Sequence, residues 1–168
     1  MTFDAQSFKN ALSQFASGVT VVTTQLDGRL HGLTVSAFSS LSLDPPLVII
    51  CVQKDIPSHE VLEESGNFAV NFLSESQVDL GRRFAGLVDG VIDRFEGVET
   101  VSSPAENPLI AGSMGWLDCR LWNVYDGGDH SIFVGEVQAA GSGSGERPLL
   151  YFNRRWHGVS EVPNDEVW

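Results

Sequence analysis

Lysine is the scarcest charged residue of this chain, since only Lys9 and Lys54 occur among its 168 residues. Ten lysines and arginines face 22 acidic residues, and the formal net charge is −12 at pH 7. Nucleic acids and anionic membrane surfaces are bound through basic surfaces, so this balance argues against both as partners. An anionic ligand has few cationic side chains to use, and the candidates are Lys54, Arg82-Arg83, Arg94, Arg147 and Arg154-Arg155.

Cysteine is equally rare, and Cys51 and Cys119 both lie inside apolar runs. We therefore expect two buried free thiols and no disulfide bond. The sequence has no C-x-x-C pair, and its four histidines are scattered along the chain. These spacings do not match a local metal-binding motif, so no metal site is predicted.

Long apolar runs are missing, because no segment approaches the ~18 residues of a membrane span. The N-terminus also lacks the charged region and apolar stretch of a signal peptide. We therefore expect a cytoplasmic protein. A length of 168 residues with 42% hydrophobic content fits one globular domain. That domain is predicted to span residues 1–168, with terminal tails at 1–7 and 160–168.

Residues 31–46, HGLTVSAFSSLSLDPP, have the most informative pattern. Small uncharged donors on a strand suit an oxygen-rich ring system or a phosphate, although a serine-rich strand without a ligand is the alternative. Pro45-Pro46 is expected to end the strand. If every second residue faces the same side of a strand, one side is apolar and carries Leu33, Val35, Ala37, Leu41 and Leu43. The other side carries hydroxyl groups and one aromatic ring, from Thr34, Ser36, Phe38, Ser40 and Ser42.

The N-terminal third predicts a helix followed by strands. Phe8, Leu12, Phe15 and Ala16 form one stripe of a helix over 4–16, with Gly18 as its C-terminal stop. Residues 19–25 are β-branched and predict a strand, and Asp27-Gly28 predicts a hairpin turn. The continuous apolar run 47–52 predicts a strand buried on both faces.

The middle of the chain predicts two further helices. One begins near Ser58, turns Val61 and Leu62 inward and ends at Gly66. After an alternating strand at 68–72, the capping box Ser74-x-x-Gln77 opens a helix that runs towards Phe84. Residues 86–110 contain several glycines and prolines, and they predict mostly loop with one short strand.

The C-terminal third predicts a hairpin and a last strand. Residues 115–125 alternate cleanly, 126–129 form a turn, and 130–137 return as the partner strand. The run 141–145, GSGSG, has the wrong glycine spacing for a dinucleotide fingerprint, so we expect a flexible hairpin connection. Residues 149–152 predict a core strand, and an acidic tail follows from Glu161. Many short strands with outer helices indicate a mainly β barrel.

Four ordered segments resemble the flavin reductase-like family, and together they cover residues 8–158. Each motif is weak alone, but the ordered set is specific. They are Phe15–Thr23 (FASGVTVVT); Gly32–Pro46; Phe68–Leu73 (FAVNFL) with Arg83-Phe84-Ala85 and Asp93-Arg94-Phe95; and Gly128-Asp129-His130 with Val134–Val137 and Pro148–Asn153.

The resemblance implies a mainly β fold, a split β-barrel with flanking helices, which is usually a homodimer. It also implies an NAD(P)H:flavin oxidoreductase with FMN or FAD, and NADH or NADPH as co-substrate. Such proteins supply reduced flavin to a partner flavin-dependent monooxygenase. Family members often have a tyrosine near the position of Trp156 or His157, so the choice between NADH and NADPH stays open.

The resemblance also assigns site residues. Most would contact the flavin ring and ribityl chain or its phosphate, and the rest would face the nicotinamide nucleotide. The ring and ribityl set is Thr34, Val35, Ser36, Ala37, Phe38 and Ser40, with Cys51, Val52 and Gln53 acting through backbone; the phosphate set is Lys54, Ser58, His59, Arg83 and Phe84; the nicotinamide set is His130, Tyr151, Phe152, Asn153 and Arg154.

Hydride transfer between two stacked rings needs positioning and no acid–base pair, so no acid–base catalyst is predicted. His130 is the candidate that positions the nicotinamide. A non-catalytic flavin-binding module on the same barrel is the competing hypothesis, and a structural dimer with a vestigial pocket is the third. His130 together with Arg154-Arg155 favours a working nicotinamide site.

Overall fold

The computed structural model of the protein describes residues 3–143 and 146–160. Ser144, Gly145 and the predicted acidic tail from Glu161 lie outside the described residues. The helices are α1 (Ala5–Leu12), α2 (Pro57–Ser65) and α3 (Val78–Phe84), the last preceded by a 3₁₀ turn at Glu75–Gln77. The strands are β1 (Ser17–Gly18), β2 (Thr20–Leu26), β3 (Arg29–Val35), β4 (Phe38–Leu43), β5 (Pro46–Gln53), β6 (Asn67–Phe72), β7 (Thr100–Ser102), β8 (Pro108–Ile110), β9 (Gly115–Gly127), β10 (His130–Ser142), β11 (Leu150–Phe152) and β12 (Arg155–His157).

Seven antiparallel strands form the main sheet, in the order β3-β2-β6-β9-β10-β5-β4. Its two edge strands, β3 and β4, are joined only by Ser36 and Ala37. A trans peptide advances the chain by at most 3.8 Å between Cα atoms, so Val35 and Phe38 lie within roughly 11 Å of each other. The sheet must therefore curl until its edges meet. This rolled sheet, with edges that are not paired to each other, is the predicted split barrel.

The core has two parts, one on each side of the curled sheet. Inside the barrel, Val22, Ile50, Phe68 and Phe133 are fully buried. Outside it, α3 packs its Phe84 edge-to-face against Phe95, with ring centroids 4.9 Å apart. The smaller sheet β1-β11-β12 and the hairpin β7-β8 flank the barrel.

Gly32 explains how α3 and β3 come so close. A Cβ atom at this position would lie 2.6 Å from the Phe84 ring, a distance that real Cβ contacts do not show. Glycine therefore lets the aromatic pair of the outer core pack directly on the strand backbone.

Several local predictions are confirmed. Asp27 and Gly28 both have positive φ, 51° and 74°, and join β2 to β3 as a tight hairpin. Gly66 ends α2 in the left-handed conformation. The Ser74 N–H donates to Gln77 Oε1 at 3.2 Å, and the Ser74 side chain accepts from the Gln77 N–H, so the predicted capping box is complete.

The prediction of one continuous pattern through 31–46 is wrong. The chain leaves β3 after Val35, crosses to the opposite edge of the sheet and resumes at Phe38. This crossing interrupts the alternation of side chains between the two faces of the sheet. A register shift between Ser40 and Ser42 changes the alternation a second time. Leu41 and Leu43 are consequently 54% and 94% exposed.

Two burial predictions are also wrong, namely that residues 47–52 are buried on both faces and that Cys51 is buried. Strand β5 buries Val48, Ile50 and Val52, but its other face, Leu47, Ile49 and Cys51, is only half-buried. This second face borders a pocket rather than packed side chains.

The first helix also differs from its prediction. It begins at Ala5, inside the predicted N-terminal tail, and its C-cap is Ser13, while Gly18 belongs to β1. The α1 stripe remains exposed: Phe8 is 51% and Leu12 56% accessible. No residue of α1 is buried.

The later strands differ in extent from their predictions. Gly141 and Ser142 continue β10, paired with Trp116 and Gly115, so they are not part of a flexible connection. The loop 86–110 contains two paired strands, β7 and β8, where one was predicted. Strand β12 was not predicted. Within the described ranges, every helix is too short or too polar to cross a membrane.

Candidate functional site

The main pocket, a cavity of ≈ 760 Å³, lies between α1, the β3–β4 link, β5 and the β11–β12 turn. Its volume is in the usual range for small-molecule sites. It combines predicted flavin residues with predicted nicotinamide residues, although these lie about a hundred positions apart in the chain. The predicted residues that line it are Ser36, Ala37, Phe38, Cys51, Tyr151, Phe152, Asn153 and Arg154.

The β3–β4 link supplies polar backbone at one wall of the main pocket. Ser36 and Ala37 lie between the two edge strands and are exposed. The Ala37 carbonyl accepts a hydrogen bond from the Cys51 N–H at 3.0 Å. Ser36 is exposed and lines the pocket, so its hydroxyl is accessible to a ligand.

The β11–β12 turn forms the opposite wall. Asn153 and Arg154 both have positive φ, 48° and 60°, which non-glycine residues adopt only when the surrounding structure holds them. The Asn153 N–H donates to the Ser13 carbonyl at 2.8 Å, and Arg154 Nη2 donates to Asn10 Oδ1 at 2.9 Å. These two bonds attach α1 to the turn, so the helix closes one side of the pocket.

His130 and Gln53 lie on the same sheet face as the pocket residue Cys51. Cys51 is paired with Ile132, and Gln53 with His130, and directly opposite residues of an antiparallel pair share a face. His130 is thus about 7 Å along the strand from the residue opposite Cys51. Its Nδ1 is 2.7 Å from Asp129 Oδ1, and this hydrogen bond lowers the pKa of Asp129.

Lys54 is engaged within the protein. Its Nζ donates to the Asp126 carboxylate and, at 2.7 Å, to the Gly128 carbonyl. The hydrogen bond from Lys54 lowers the pKa of Asp126. The lysine is therefore held at the β9–β10 turn and does not line the main pocket, so its predicted phosphate contact stays a prediction.

Other predicted side chains lie in the core. Val35, Val52 and Phe84 are 5%, 2% and 1% exposed. His59 is 8% exposed, its Nε2 lies 2.8 Å from Ser131 Oγ, and its ring packs on Phe133. Any ligand contact of these four residues would have to go through their backbone.

The remaining predicted residues lie outside the main pocket. Thr34 Oγ1 donates to the Gly81 carbonyl at 2.7 Å, and Arg83 Nη2 donates to the Asp93 carbonyl at 3.2 Å. Ser40 is exposed on the edge strand β4. Ser58 lines a second cavity, described below.

Comparison with known proteins decides the family. The model of the flavin reductase like domain matches residues 12–160. The chain belongs to the flavin reductase-like family. The resemblance read from its four segments is thereby confirmed, as is the class of enzyme that it implied.

Relatives of this flavin reductase-like protein include reductase components. The reductase subunit HsaB of a flavin-dependent monooxygenase from Rhodococcus jostii is 40% identical over 156 residues, covering 93% of this chain and 78% of HsaB. The structure of flavin reductase PheA2 superposes with a TM-score of 0.88 at 34% identity, covering 95% and 100% of the two chains. NADH:FAD oxidoreductase SgcE6 from Streptomyces globisporus, solved with NAD and FAD fragments, gives 0.86 at 36% identity, covering 97% and 96%.

The lining of the main pocket fits a flavin. Phe38, Ile49 and Cys51 offer an apolar wall for a planar ring, while small residues leave the link backbone accessible. No cluster of three or more metal-ligating side chains occurs in residues 3–143 and 146–160. The pocket can therefore hold and orient a planar cofactor through packing and neutral donors.

Sequence reasoning missed the contribution of α1. Gln6, Lys9 and Ser13 line the main pocket, and Asp4 caps the helix by accepting from the N–H groups of Gln6 and Ser7. The sequence did contain a signal that α1 contributes to the site. Lys9 is one of only two lysines, and it lies between Phe8 and Leu12 of the apolar stripe.

Sequence reasoning also missed most of a second cavity. This basic pocket, ≈ 610 Å³, lies at the β2–β3 hairpin and the start of α2. Its arginines are Arg29 and Arg94, of which only Arg94 was a sequence candidate, and His31 lies beside them. In so acidic a chain, the small number of arginines was the available signal.

Proposed function

We propose that this protein is an NAD(P)H:flavin oxidoreductase whose reaction takes place in the main pocket. One observation carries the proposal: Ser36–Phe38 and Cys51 face Tyr151–Arg154 across a single cavity. These are the segments that the family resemblance assigns to the flavin and to the nicotinamide nucleotide. The related NADH:FAD oxidoreductase SgcE6 supports the same chemistry.

A flavin bound here supplies a ring that accepts hydride from reduced nicotinamide. The protein's own task is positioning, because stacked rings at reaction distance need no proton transfer by a side chain. Phe38 and Ile49 pack against the ring and exclude water. The Ser36 hydroxyl and the backbone N–H groups of the link would offer donors to the negative charge that reduction brings.

A flavin-binding module without catalysis is the second candidate, because the same pocket would serve it. The two are distinguished by adding NADH anaerobically to catalytic amounts of protein with FMN or FAD. We expect the flavin absorbance to bleach over many turnovers. A bound flavin that stays oxidised would establish a binder. The same assay with each of the four combinations of FMN or FAD with NADH or NADPH measures the specificity for the flavin and for the nicotinamide nucleotide.

We further propose that the reduced flavin passes to a monooxygenase. The related HsaB is named as the reductase subunit of a flavin-dependent monooxygenase, and a relative from Thermus thermophilus as the reductase component of 4-hydroxyphenylacetate 3-monooxygenase. The cytoplasm is the proposed site of the reaction. Cys51 and Cys119 are both free thiols, which suits a reducing compartment.

We also propose a homodimer, in which a second copy covers the exposed stripe of α1. Phe8 and Leu12 are about half exposed and Phe15 is 77% exposed, which is costly for neighbouring apolar side chains in water. Light scattering after gel filtration should give twice the chain mass. Replacing Leu12 by Glu should shift the protein towards monomer, whereas Val101→Glu, at an exposed strand residue, should not.

A further inference from the structure

The charge of the main pocket is opposite in sign to the charge of the whole chain. Acidic residues outnumber basic ones by 22 to 10 in the sequence. Among the described residues that line this pocket, however, none is acidic, while two are basic, namely Lys9 and Arg154. A cavity whose wall carries two cations and no carboxylate favours a ligand with negative charge.

The two cations are brought together by α1 and the β11–β12 turn. Lys9 lies in the last turn of α1, on the side of the helix that lines the cavity. Arg154 belongs to the turn, which is bonded to the same helix. The apolar wall of Phe38 and Ile49 comes from β4 and β5 instead. The main pocket therefore offers separate surfaces to a planar ring and to an anionic group.

Asn10 orients Arg154 without neutralising it. Its Oδ1 accepts from Arg154 Nη2 and from Gln6 Nε2, both at 2.9 Å. An aspartate would accept the same bonds and would also cancel the charge of the guanidinium, whereas a carboxamide oxygen is neutral. The positive φ of Arg154, 60°, is a strained backbone conformation of the kind that is often kept at ligand sites.

The acidic residue next to α1 is engaged at the far end of the helix. Asp4 is the N-cap, and its carboxylate accepts from the N–H groups of Gln6 and Ser7. The helix itself, AQSFKNAL, contains no acidic residue. Lys9 in the last turn also interacts favourably with the helix dipole, so a test of ligand binding needs a measurement that this structural role would not change.

The nicotinamide nucleotide fits these two cations better than the flavin phosphate does. The cations that the family resemblance assigns to the flavin phosphate, Lys54 and Arg83, are bonded to Asp126 and to the Asp93 carbonyl, away from the main pocket. Arg154, in contrast, belongs to the segment assigned to the nicotinamide nucleotide. The diphosphate of that nucleotide carries two negative charges, which matches two cations.

Resting on the proposed function, we propose that Lys9 and Arg154 bind the diphosphate of the nicotinamide nucleotide, and that Asn10 positions Arg154 for this contact. Helix α1 is then part of the dinucleotide site. The hydride-donating ring lies further into the cavity, towards the apolar wall, and depends on other residues.

The test compares NADH with dihydronicotinamide riboside, a hydride donor that has the same ring but no phosphate, at saturating flavin. Lys9→Gln should raise KM for NADH about 5- to 10-fold, because one exposed charge-assisted contact is lost. It should leave kcat nearly unchanged, since the ring keeps its position. KM for the riboside should not change. Lys9→Arg keeps the charge and should have the wild-type KM for NADH.

Asn10→Asp tests the positioning role, because it keeps an acceptor for Arg154 and adds a negative charge beside it. KM for NADH should again rise about 5- to 10-fold, with KM for the riboside unchanged. Gln14→Glu is the matched control: it makes the same change from amide to carboxylate at an exposed residue just after α1, outside the described lining of the pocket. Both KM values should stay near wild type in this control.

Equal rises in KM for NADH and the riboside, or no rise for NADH, would overturn the proposal, because Lys9 and Asn10 would then act only on the structure of α1. Flavin fluorescence without NADH tests the other anion. A Lys9→Gln variant that loses affinity for FMN but not for riboflavin would also overturn the proposal, since its cation would bind the flavin phosphate. Failure of the proposed function is a separate result, in which the wild-type protein binds flavin but neither donor reduces it.

Discussion

Ser36 has an accessible hydroxyl at the wall of the main pocket, in the link between the two edge strands. Ser36→Leu fills the space next to the link backbone and removes the donor, so we expect flavin binding to be lost. Far-UV circular dichroism should be unchanged, because the residue is exposed and outside the strands. Fluorescence titration with FMN measures the effect. Ser102→Leu, on exposed β7, is the control, and unchanged affinity in folded Ser36→Leu protein would remove Ser36 from the site.

His130 separates an enzyme from a flavin binder. It begins β10 on the same sheet face as Cys51, and Asp129 holds its Nδ1. If its ring positions the nicotinamide, His130→Ala should lower kcat/KM for NADH by about 5- to 150-fold, the value of one hydrogen bond of roughly 1–3 kcal/mol. Flavin affinity should stay near wild type. Steady-state kinetics at saturating flavin with varied NADH checks this, and an unaltered kcat/KM would exclude the role.

Cys119 gives a prediction for alkaline pH. Burial, with the neighbouring Asp118 as the lesser cause, raises its pKa from 9.0 to about 12. Above pH 9 the unfolded chain loses this proton while the folded protein keeps it, so stability falls as the pH rises from 9 towards 12. The slope from this group is at most about 1.4 kcal/mol per pH unit.

Urea unfolding at pH 8, 9 and 10 tests this prediction for Cys119. The Cys119→Ala variant should lose less stability than the wild-type protein over this range. Cys51→Ala, at a half-buried position, is the control. Parallel pH profiles for the wild-type protein and Cys119→Ala would contradict the prediction.

The short hairpin β7–β8 is held to the barrel by buried polar groups as well as by the buried residues of β8. Asp118, fully buried on β9, accepts from the Ala105 N–H at 2.9 Å and from Asn107 Nδ2 at 2.8 Å. On β6, Asn71 Oδ1 accepts the Ile110 N–H at 2.8 Å. These bonds act together with the packing of the buried strand β8 to fix the position of the hairpin.

Asn107→Ala should therefore destabilise the protein strongly. It leaves Asp118 Oδ1 buried without its donor, and a buried acceptor left without a hydrogen bond costs roughly 1–3 kcal/mol. Chemical denaturation gives the free energy of unfolding. Gln138→Ala, at an exposed residue of β10, should change it by less than about 0.5 kcal/mol. A loss of similar size in both variants would show that the network does not hold the hairpin.

At the scale of the whole molecule, the net charge is −12 on 168 residues. The excess acidic side chains repel one another, and this repulsion lowers the stability of the folded protein. Salt screens exposed charges, with a Debye length of about 30 Å at 0.01 M and about 8 Å at 0.15 M. We therefore expect Tm to rise with NaCl over this range. Differential scanning calorimetry measures it, and Glu64→Gln at an exposed α2 residue should reduce the response. A Tm that falls with salt would mean that attractive ion pairs dominate.

Local features were predictable from the sequence because a few neighbouring residues determine them. Asp27-Gly28, Gly66 and the Ser74–Gln77 box each act through backbone conformation or hydrogen bonds within four residues. The alternation at 115–125 likewise reports a strand directly. The family followed from ordered segments along nearly the whole chain.

Only the tertiary structure decided which of these residues meet. The alternation predicted through 31–46 is wrong because Ser36 and Ala37 cross between opposite edges of a curled sheet. A periodic sequence pattern contains no sign of such a crossing. Lys54 was predicted to be free for a phosphate, but Asp126, 72 positions away, engages it. The closing of the main pocket by α1 depends on the bond between Arg154 and Asn10, 144 positions apart. Such contacts arise from closure of the whole sheet, and a local sequence pattern contains no information about a partner so distant.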